Sequence, residues 1–518
     1  MYFLRAATTM LSFFAGAAGV AAQDITLTSH DGKVEVTGNL LSYDGEFYRV
    51  DTQFGELTVD GSGVTCEGLA CPNLIDFVAE VSFSGSSVIA DALMPALIEG
   101  FARQEGLETN RTDLEEGLFV YALQQPGRQA PLGRLTFHAG NTARGFADLI
   151  GDEADIVMAL REIRPEENEA AQEAGIGDLT RPRRSRVLAL DAMVPVVSRE
   201  NPIRRILPSD LARVFAGEVT NWAELGGPDA PIALHLPDAG GGLAQAAEDL
   251  LLISADAPPE VVIERHARSS DLVKAVADDP FAIGIASHAG VGPAQALPLS
   301  GGCGYALTAT RQSIKTEDYP LTSPMFMYLP QRRLPKIVRQ FLAYTQSAEA
   351  QMVIRQAGFV DQSPETIRIG LQGDRLANAI TAGGAEVGME ELQRMIETLR
   401  PLSRLSLSFR FETGSSRPDA QSRSNIQHLA QALESGAFDA RKLIFVGFSD
   451  GDGAASANAR IALRRAQTVR NAVLNAVETA VPESVEIDVE GFGEAMPMAC
   501  DDTDWGRKVN RRVEIWVE

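Results

Sequence analysis

The hydrophobic period of this chain changes twice along its length, and that rules out a single repeated architecture. Residues 24 to about 65 alternate polar and apolar side chains, as in Ile25-Thr26-Leu27-Thr28, Val34-Glu35-Val36, Phe47-Tyr48-Arg49-Val50 and Leu57-Thr58-Val59. Asp31-Gly32, Asp44-Gly45 and Asp60-Gly61 punctuate these runs as turns. The pattern predicts a small antiparallel β module over residues 23–77. From about residue 78, strand-like runs alternate with helical stretches. Val81-Ser82-Phe83 leads through Gly85-Ser86-Ser87 into a helix from Ile89 to Gln104. Leu135-Thr136-Phe137-His138 leads through Ala139-Gly140-Asn141-Thr142 into another. Residues 155–158, 192–197 and 232–236 are further strands. Such alternation predicts α/β architecture with mainly parallel pairing, in two lobes around a ligand cleft.

Residues 366–399 bear Gly and Ala without a clear period, and read as a linker containing one short helix from Glu390 to Leu399. Beyond residue 400 a β-α-β-α-β order is expected, with strands at 405–411, 443–447, 485–489 and 513–517 and helices at 419–433 and 458–473. Ile426, Leu429, Ala430 and Leu433 share one face of the first helix. The fold class is therefore multidomain, α/β and α+β.

At 518 residues, about three domains are expected. The formal net charge of −24 argues against a nucleic-acid partner, because a phosphate backbone wants a basic face. Residues 1–22 resemble a secretory signal, with Arg5, an apolar run from Met10 to Val20, and Val20-Ala21-Ala22 before Gln23. No later apolar run is long enough to span a bilayer, so no transmembrane segment is expected after signal removal. In an exported chain Cys66 and Cys71, flanking a short loop, are expected to form a disulfide. The pairing of Cys303 and Cys500 stays open. The six His residues form no ligand cluster with the cysteines, so no metal site and no cofactor are expected. No nucleophile elbow, His-Glu-x-x-His or Walker loop is recognised, and the chain is not expected to be an enzyme.

Asp191 to Gly227 reads DAMVPVVSRENPIRRILPSDLARVFAGEVTNWAELGG, and Tyr319-Pro320-Leu321 precedes Met325-Phe326-Met327-Tyr328. These blocks resemble the periplasmic phosphate-binding (ABC-type substrate-binding) protein family, over about residues 78–365. The resemblance implies an anion held by hydroxyls and by N–H groups at helix N-termini. Ser86 and Ser87 match its first loop. Asn141, Thr142 and Arg144 stand at an altered second loop, and Arg161 follows Ala159-Leu160, which replace the family's hydroxyls. In the third loop Leu236, Gly240 and Gly242 replace Arg, Ser and Thr, leaving backbone N–H groups of Gly240, Gly241 and Gly242 as the expected anion nest. The implied ligand is phosphate or another small anion, and the implied partner an ABC permease. The alternative is an envelope scaffold that docks a protein.

Gly447-Phe448-Ser449-Asp450, Asn458, Arg465-Ala466 and Asn510-Arg511-Arg512-Val513-Glu514 set an acid and a base fifteen residues apart, across a strand-to-helix transition. The arrangement resembles the OmpA-like peptidoglycan-binding domain across residues 400–518. The resemblance implies that Asp450 receives the ammonium of the stem-peptide diamino acid and Arg465 its carboxylate. Asn458, Arg511 and Arg512 complete the expected site. Phe448-Ser449 stands in place of the family's His-Thr. A periplasmic protein held to the peptidoglycan or outer membrane of a Gram-negative cell is the location expected.

Overall fold

The computed structural model describes residues 24–74, 77–238, 241–250, 262–300, 306–382, 387–412, 415–479, 485–501 and 504–518. The predicted leader at 1–22, the nest residue Gly240, and Cys303 lie outside the described residues. The chain forms two compact units, one running to Ala79 with Leu334–Lys336, the other comprising Glu80–Arg333 and Ile337–Glu518.

In the first unit the Asp-Gly turns do what the sequence predicts. Asp44 Oδ1 accepts the N–H groups of Glu46 and Phe47 at 2.9 and 2.7 Å, and Asp60 accepts that of Ser62 at 2.8 Å. Between the turns run β1 (Asp24–Ser29), β2 (Glu35–Tyr43), β3 (Phe47–Thr52), β4 (Gly55–Asp60) and β5 (Val64–Gly68). They make an antiparallel sheet in the order β4-β3-β2-β1-β5. One face buries Ile25, Leu27, Tyr48 and Val50, and the disulfide between Cys66 and Cys71 packs beside them.

The second unit opens with β6 (Ala79–Ser86), β7 (Glu108–Glu115), β8 (Leu118–Gln124), β9 (Gly133–Gly140) and β10 (Ile156–Ala159). The long β11 (Ser185–Val197) follows, then β12 (Ala233–Pro237), β13 (Ile263–His266), β14 (Ala282–Ser287), β15 (Gln295–Ala296) and β16 (Thr322–Tyr328). The sheet runs β13-β12-β14-β11-β16-β10-β6-β9-β8-β7. Its pairing is mixed rather than mainly parallel. β6–β10, β12–β13 and β12–β14 are parallel, while β11 and β16 run antiparallel to their neighbours and β7–β8–β9 is a meander. The physical reason is β11, which pairs with β16 through Ser185–Ala192 and with β14 through Met193–Val197. One strand thereby joins the two halves of the sheet. The GEVTNW block closes the helix Pro208–Phe215: Gly217 takes φ +76°, Asn221 caps the next turn, and the Trp222 indole N–H donates to the carbonyl of Phe281 at 2.8 Å.

The C-terminal sheet comprises β17 (Thr366–Arg368), β18 (Ser403–Phe409), β19 (Lys442–Gly447), β20 (Glu486–Gly491) and β21 (Val513–Val517), in the order β17-β18-β21-β19-β20. Helices Ala420–Glu434 and Ala455–Ala476 bury one face over Leu405, Phe409, Phe445 and Ile515. The segment 366–399, expected as a linker, instead belongs to this layer. Thr366–Arg368 adds an edge strand to β18, and helices Gly373–Ala382 and Met389–Leu399 cover the other face. Ala379, Leu392, Met395 and Leu399 pack there on Ile444, Val446, Phe448 and Trp516. A sheet with apolar side chains on both faces needs both covered, and these helices supply the second cover.

Buried charges join this layer to the large sheet within the same unit. Arg404 donates to both oxygens of Asp318 at 2.6 and 2.9 Å. Arg410 donates to the carbonyls of Glu317 and Val509, and Lys315 to Asp361 and Glu365. The Ala420 N–H donates to Glu162 at 3.1 Å, capping a helix of the C-terminal layer with a carboxylate from the other. No helix of the described residues is long and apolar enough to cross a membrane.

Candidate functional site

At the end of β19 the strand meets the helix Ala455–Ala476 without an intervening side chain. A Cβ at Gly447 would stand 2.0 Å from the carbonyl oxygen of Ala462, so this crossing accepts glycine only. The contact sets the following residues beside the first turns of that helix. Phe448 turns inward onto Phe492. Ser449 is buried, and Asp450 reaches the rim with 14% of its side chain exposed. On the helix, Asn458, Ala462 and Arg465 follow at i, i+4 and i+7, one face.

Asp450 Oδ2 accepts a bond from Arg511 at 2.6 Å. The Arg465 guanidinium instead lies over the Phe411 ring, 5.3 Å from its centre, and among the described residues has no hydrogen-bonded or ion-paired partner. Burial, and then the nearby Arg511, push its pKa down, while Asp450 opposes them. Two further polar atoms are buried without a hydrogen bond, Asn458 Nδ2 and Ser449 Oγ. The turn is held from behind by Gly451 N–H to Asp501 and by Asn510, which bonds Met498, Ala499 and Asp501. One carboxylate, two guanidiniums and two unsatisfied polar groups therefore converge. The Asp501 and Glu494 carboxylates also lie close to Gly451, so the site holds both carboxylates and guanidiniums.

The structure brings Asp450, Asn458, Arg465 and Arg511 together. Arg512 does not join them. It is fully buried, donates to Glu514 at 2.8 Å and to the Met496 carbonyl at 2.9 Å, and stacks 4.4 Å from the Phe448 ring centre. Its alternation with Arg511 along the approach to β21 sends the two side chains to opposite faces. The sequence reading gave Phe411 no site role and noted Ser449 only as a departure from the family pattern; a ring beneath a guanidinium leaves no local signature. Gly447-Phe448-Ser449-Asp450-Gly451 does spell a Gly-x-Ser-x-Gly string, contrary to the sequence expectation. Among the described residues Ser449 Oγ is buried and has no hydrogen-bond partner.

The expected anion groups of the large sheet are mostly engaged by the protein itself. Thr142 Oγ1 accepts the N–H of Leu160 at 3.1 Å, and Asn141 caps its helix by accepting from Arg144 N–H at 2.9 Å. The Ala143 N–H, at that helix N-terminus, donates to the Gln245 side chain at 3.1 Å. Arg161 forms a two-pronged pair with Glu167 at 2.7 and 2.8 Å, and the exposed Arg144 faces Asp148 at 3.5 Å. Ser86 Oγ is buried without a partner, and Ser87 is half-buried. A Cβ at Gly242 would sit 2.5 Å from Ser86 Oγ, and one at Gly241 3.9 Å from Ser87 Oγ. The third loop is thus pressed against the first. Gln245, 102 residues from the amide it satisfies, is the contributor the sequence did not reveal.

Residues 79–349 match the family model of the PBP superfamily domain, and residues 410–511 that of the OmpA family. Protein SphX of Synechococcus elongatus is 27% identical over 239 residues, 44% of this chain and 68% of that protein. The phosphate-binding protein PstS of Borreliella burgdorferi is 23% identical over 235 residues, 44% of this chain and 79% of that protein. Among solved structures, an ABC-type phosphate transport receptor from Vibrio cholerae superposes with a TM-score of 0.42 at 20% identity, covering 54% of this chain and 99% of that one.

Proposed function

We propose that this chain, which belongs to the PBP superfamily through residues 79–349, is a periplasmic protein held to peptidoglycan by its C-terminal layer. The observation that carries this reading is the Arg465 guanidinium, which among the described residues has no hydrogen-bonded or ion-paired partner, beside Asp450 and the unsatisfied Asn458 Nδ2 and Ser449 Oγ. A stem-peptide diamino acid supplies each with its complement. Its carboxylate takes the fork of Arg465, and its ammonium shares Asp450 with Arg511, since an ionised carboxylate has lone pairs for both. The match of residues 410–511 to the OmpA family supports the same ligand. Asp450→Asn combined with Arg465→Ala should abolish co-sedimentation with purified sacculi. A double variant that still sediments would sink the assignment.

For the large sheet we favour an envelope scaffold that docks a protein over capture of a small anion. Supporting this are the internal partners of Thr142, Ala143 N–H and Arg161, and the close approach of Gly242 to Ser86. An anion entering there has to displace these bonds, and each charged hydrogen bond missing from the site removes about 1.5–3 kcal/mol. The seam of buried ion pairs around Arg404 and Asp318 fixes the wall-binding layer to this scaffold.

A further inference from the structure

His235 and His266 stand 31 residues apart, and the strands bring their rings together. β12 and β13 pair in parallel, with His235 opposite Glu264 and Pro237 opposite His266. Residues opposite one another share a face, and so do residues two apart on one strand, so His235, Glu264 and His266 project to the same side. His235 Nδ1 lies 2.9 Å from His266 Nε2. The Glu264 carboxylate reaches within 3.8 Å of the first nitrogen and 3.7 Å of the second. β13 is the edge of the sheet, and the Glu264 side chain is 64% exposed while both imidazoles are nearly buried.

We propose that His235, Glu264 and His266 form a binding site for a divalent transition-metal ion, zinc foremost. Ligand bonds of about 2.0–2.1 Å at tetrahedral angles place donor atoms roughly 3.3 Å apart. The two ring nitrogens stand 2.9 Å apart, Glu264 offers Oε2 at 3.8 Å to one and Oε1 at 3.7 Å to the other, and one donor atom from each of the three residues lies within 4.8 Å of the other two, so a small rotation of the exposed carboxylate closes the set around an ion. Two imidazoles and one carboxylate are a donor set that suits zinc and leaves a fourth position, which here opens to solvent past Glu264. The hydrogen that now links the two ring nitrogens occupies the place of the ion, and it moves to the far nitrogen of a ring when the ion binds. The site also has a mechanical outlet. The His266 carbonyl accepts the Asp238 N–H at 2.8 Å, so an ion that fixes His266 steadies the start of the loop carrying Gly241 and Gly242.

The test is calorimetric titration of the chelator-treated full chain with zinc chloride, backed by thermal unfolding. One equivalent should bind at micromolar zinc and raise the unfolding temperature. Glu264→Gln, at an exposed position, and His266→Gln should each weaken binding by about tenfold to a hundredfold. Absence of binding at about millimolar zinc overturns the proposal. So does stoichiometric binding that Glu264→Gln and His266→Gln both leave unchanged, which would mark it as adventitious capture by the acidic surface.

Discussion

Glu317→Gln should make the protein more stable in alkaline solution and change little in acid. Glu317 is 9% exposed, at the seam between the large sheet and the C-terminal layer. Its carboxylate has Arg410 Nε at 3.8 Å and accepts from Asn425 Nδ2 at 3.3 Å. Burial is the largest influence and lifts its pKa from 4.5 to about 8, with Asp419 adding to the rise and Arg410 and Lys508 opposing it. Between these values the folded protein keeps a proton that the unfolded chain has released. Stability therefore falls as pH rises through that window. At about 1.4 kcal/mol per pH unit, the loss from pH 5 to pH 9 is on the order of 4 kcal/mol. Glutamine keeps the bond from Asn425 and has no proton to lose. The assay is urea unfolding followed by fluorescence of the buried Trp516, at steps from pH 5 to pH 9. The wild-type midpoint should fall steadily from about pH 5 to about pH 8 and level off above it, and that of the variant should fall much less. Glu162, lifted to about 7 by burial and by Asp419, adds a parallel loss below pH 7 that both proteins share. Superimposable pH profiles for the two proteins would refute the reasoning.

Other perturbations test other joints. Arg404→Ala leaves Asp318 and Glu514 buried without that partner, and should lower unfolding stability by about 3–5 kcal/mol in the same urea assay. Gly447→Ala drives a methyl into the Ala462 carbonyl, and should cost about 1–3 kcal/mol and weaken sacculus binding together, read by unfolding and by co-sedimentation. Titration of the full chain with phosphate should give no binding heat at about millimolar phosphate. Heat that disappears in Ser86→Ala would restore the anion reading.

Local chemistry was legible in the sequence, and distant pairing was not. The Asp-Gly turns and strict alternation disclosed the first sheet because each signal acts within a few residues. The strands and helices after residue 400 were likewise readable from period. Residues 366–399 were misread because glycines around position 383 mask an apolar face. Leu392, Met395 and Leu399 recur at helical spacing, and what they cover, Trp516, is far along the chain. At the proposed peptidoglycan site the sequence singled out Asp450 and Arg465 but not their relation. The residue that pairs with Asp450 is Arg511, 61 positions away. Neighbouring Arg511 and Arg512 look equivalent in sequence, yet the alternation of an extended chain sends one to the rim and the other to the core. In the large sheet, whether Thr142, Ala143 N–H and Arg161 are free or engaged depends on Leu160, Gln245 and Glu167, contacts that no motif announces.

The most direct test of the proposed peptidoglycan site is calorimetric titration of the full chain with a soluble stem peptide carrying the diamino acid. The wild type should bind it. Arg465→Ala should lose about tenfold to a hundredfold in affinity, the worth of a charge-assisted bond to a carboxylate. Arg464→Ala, one position along the same helix and exposed, should bind within about twofold of the wild type. An Arg465→Ala protein that binds the peptide as tightly as the wild type would contradict the account.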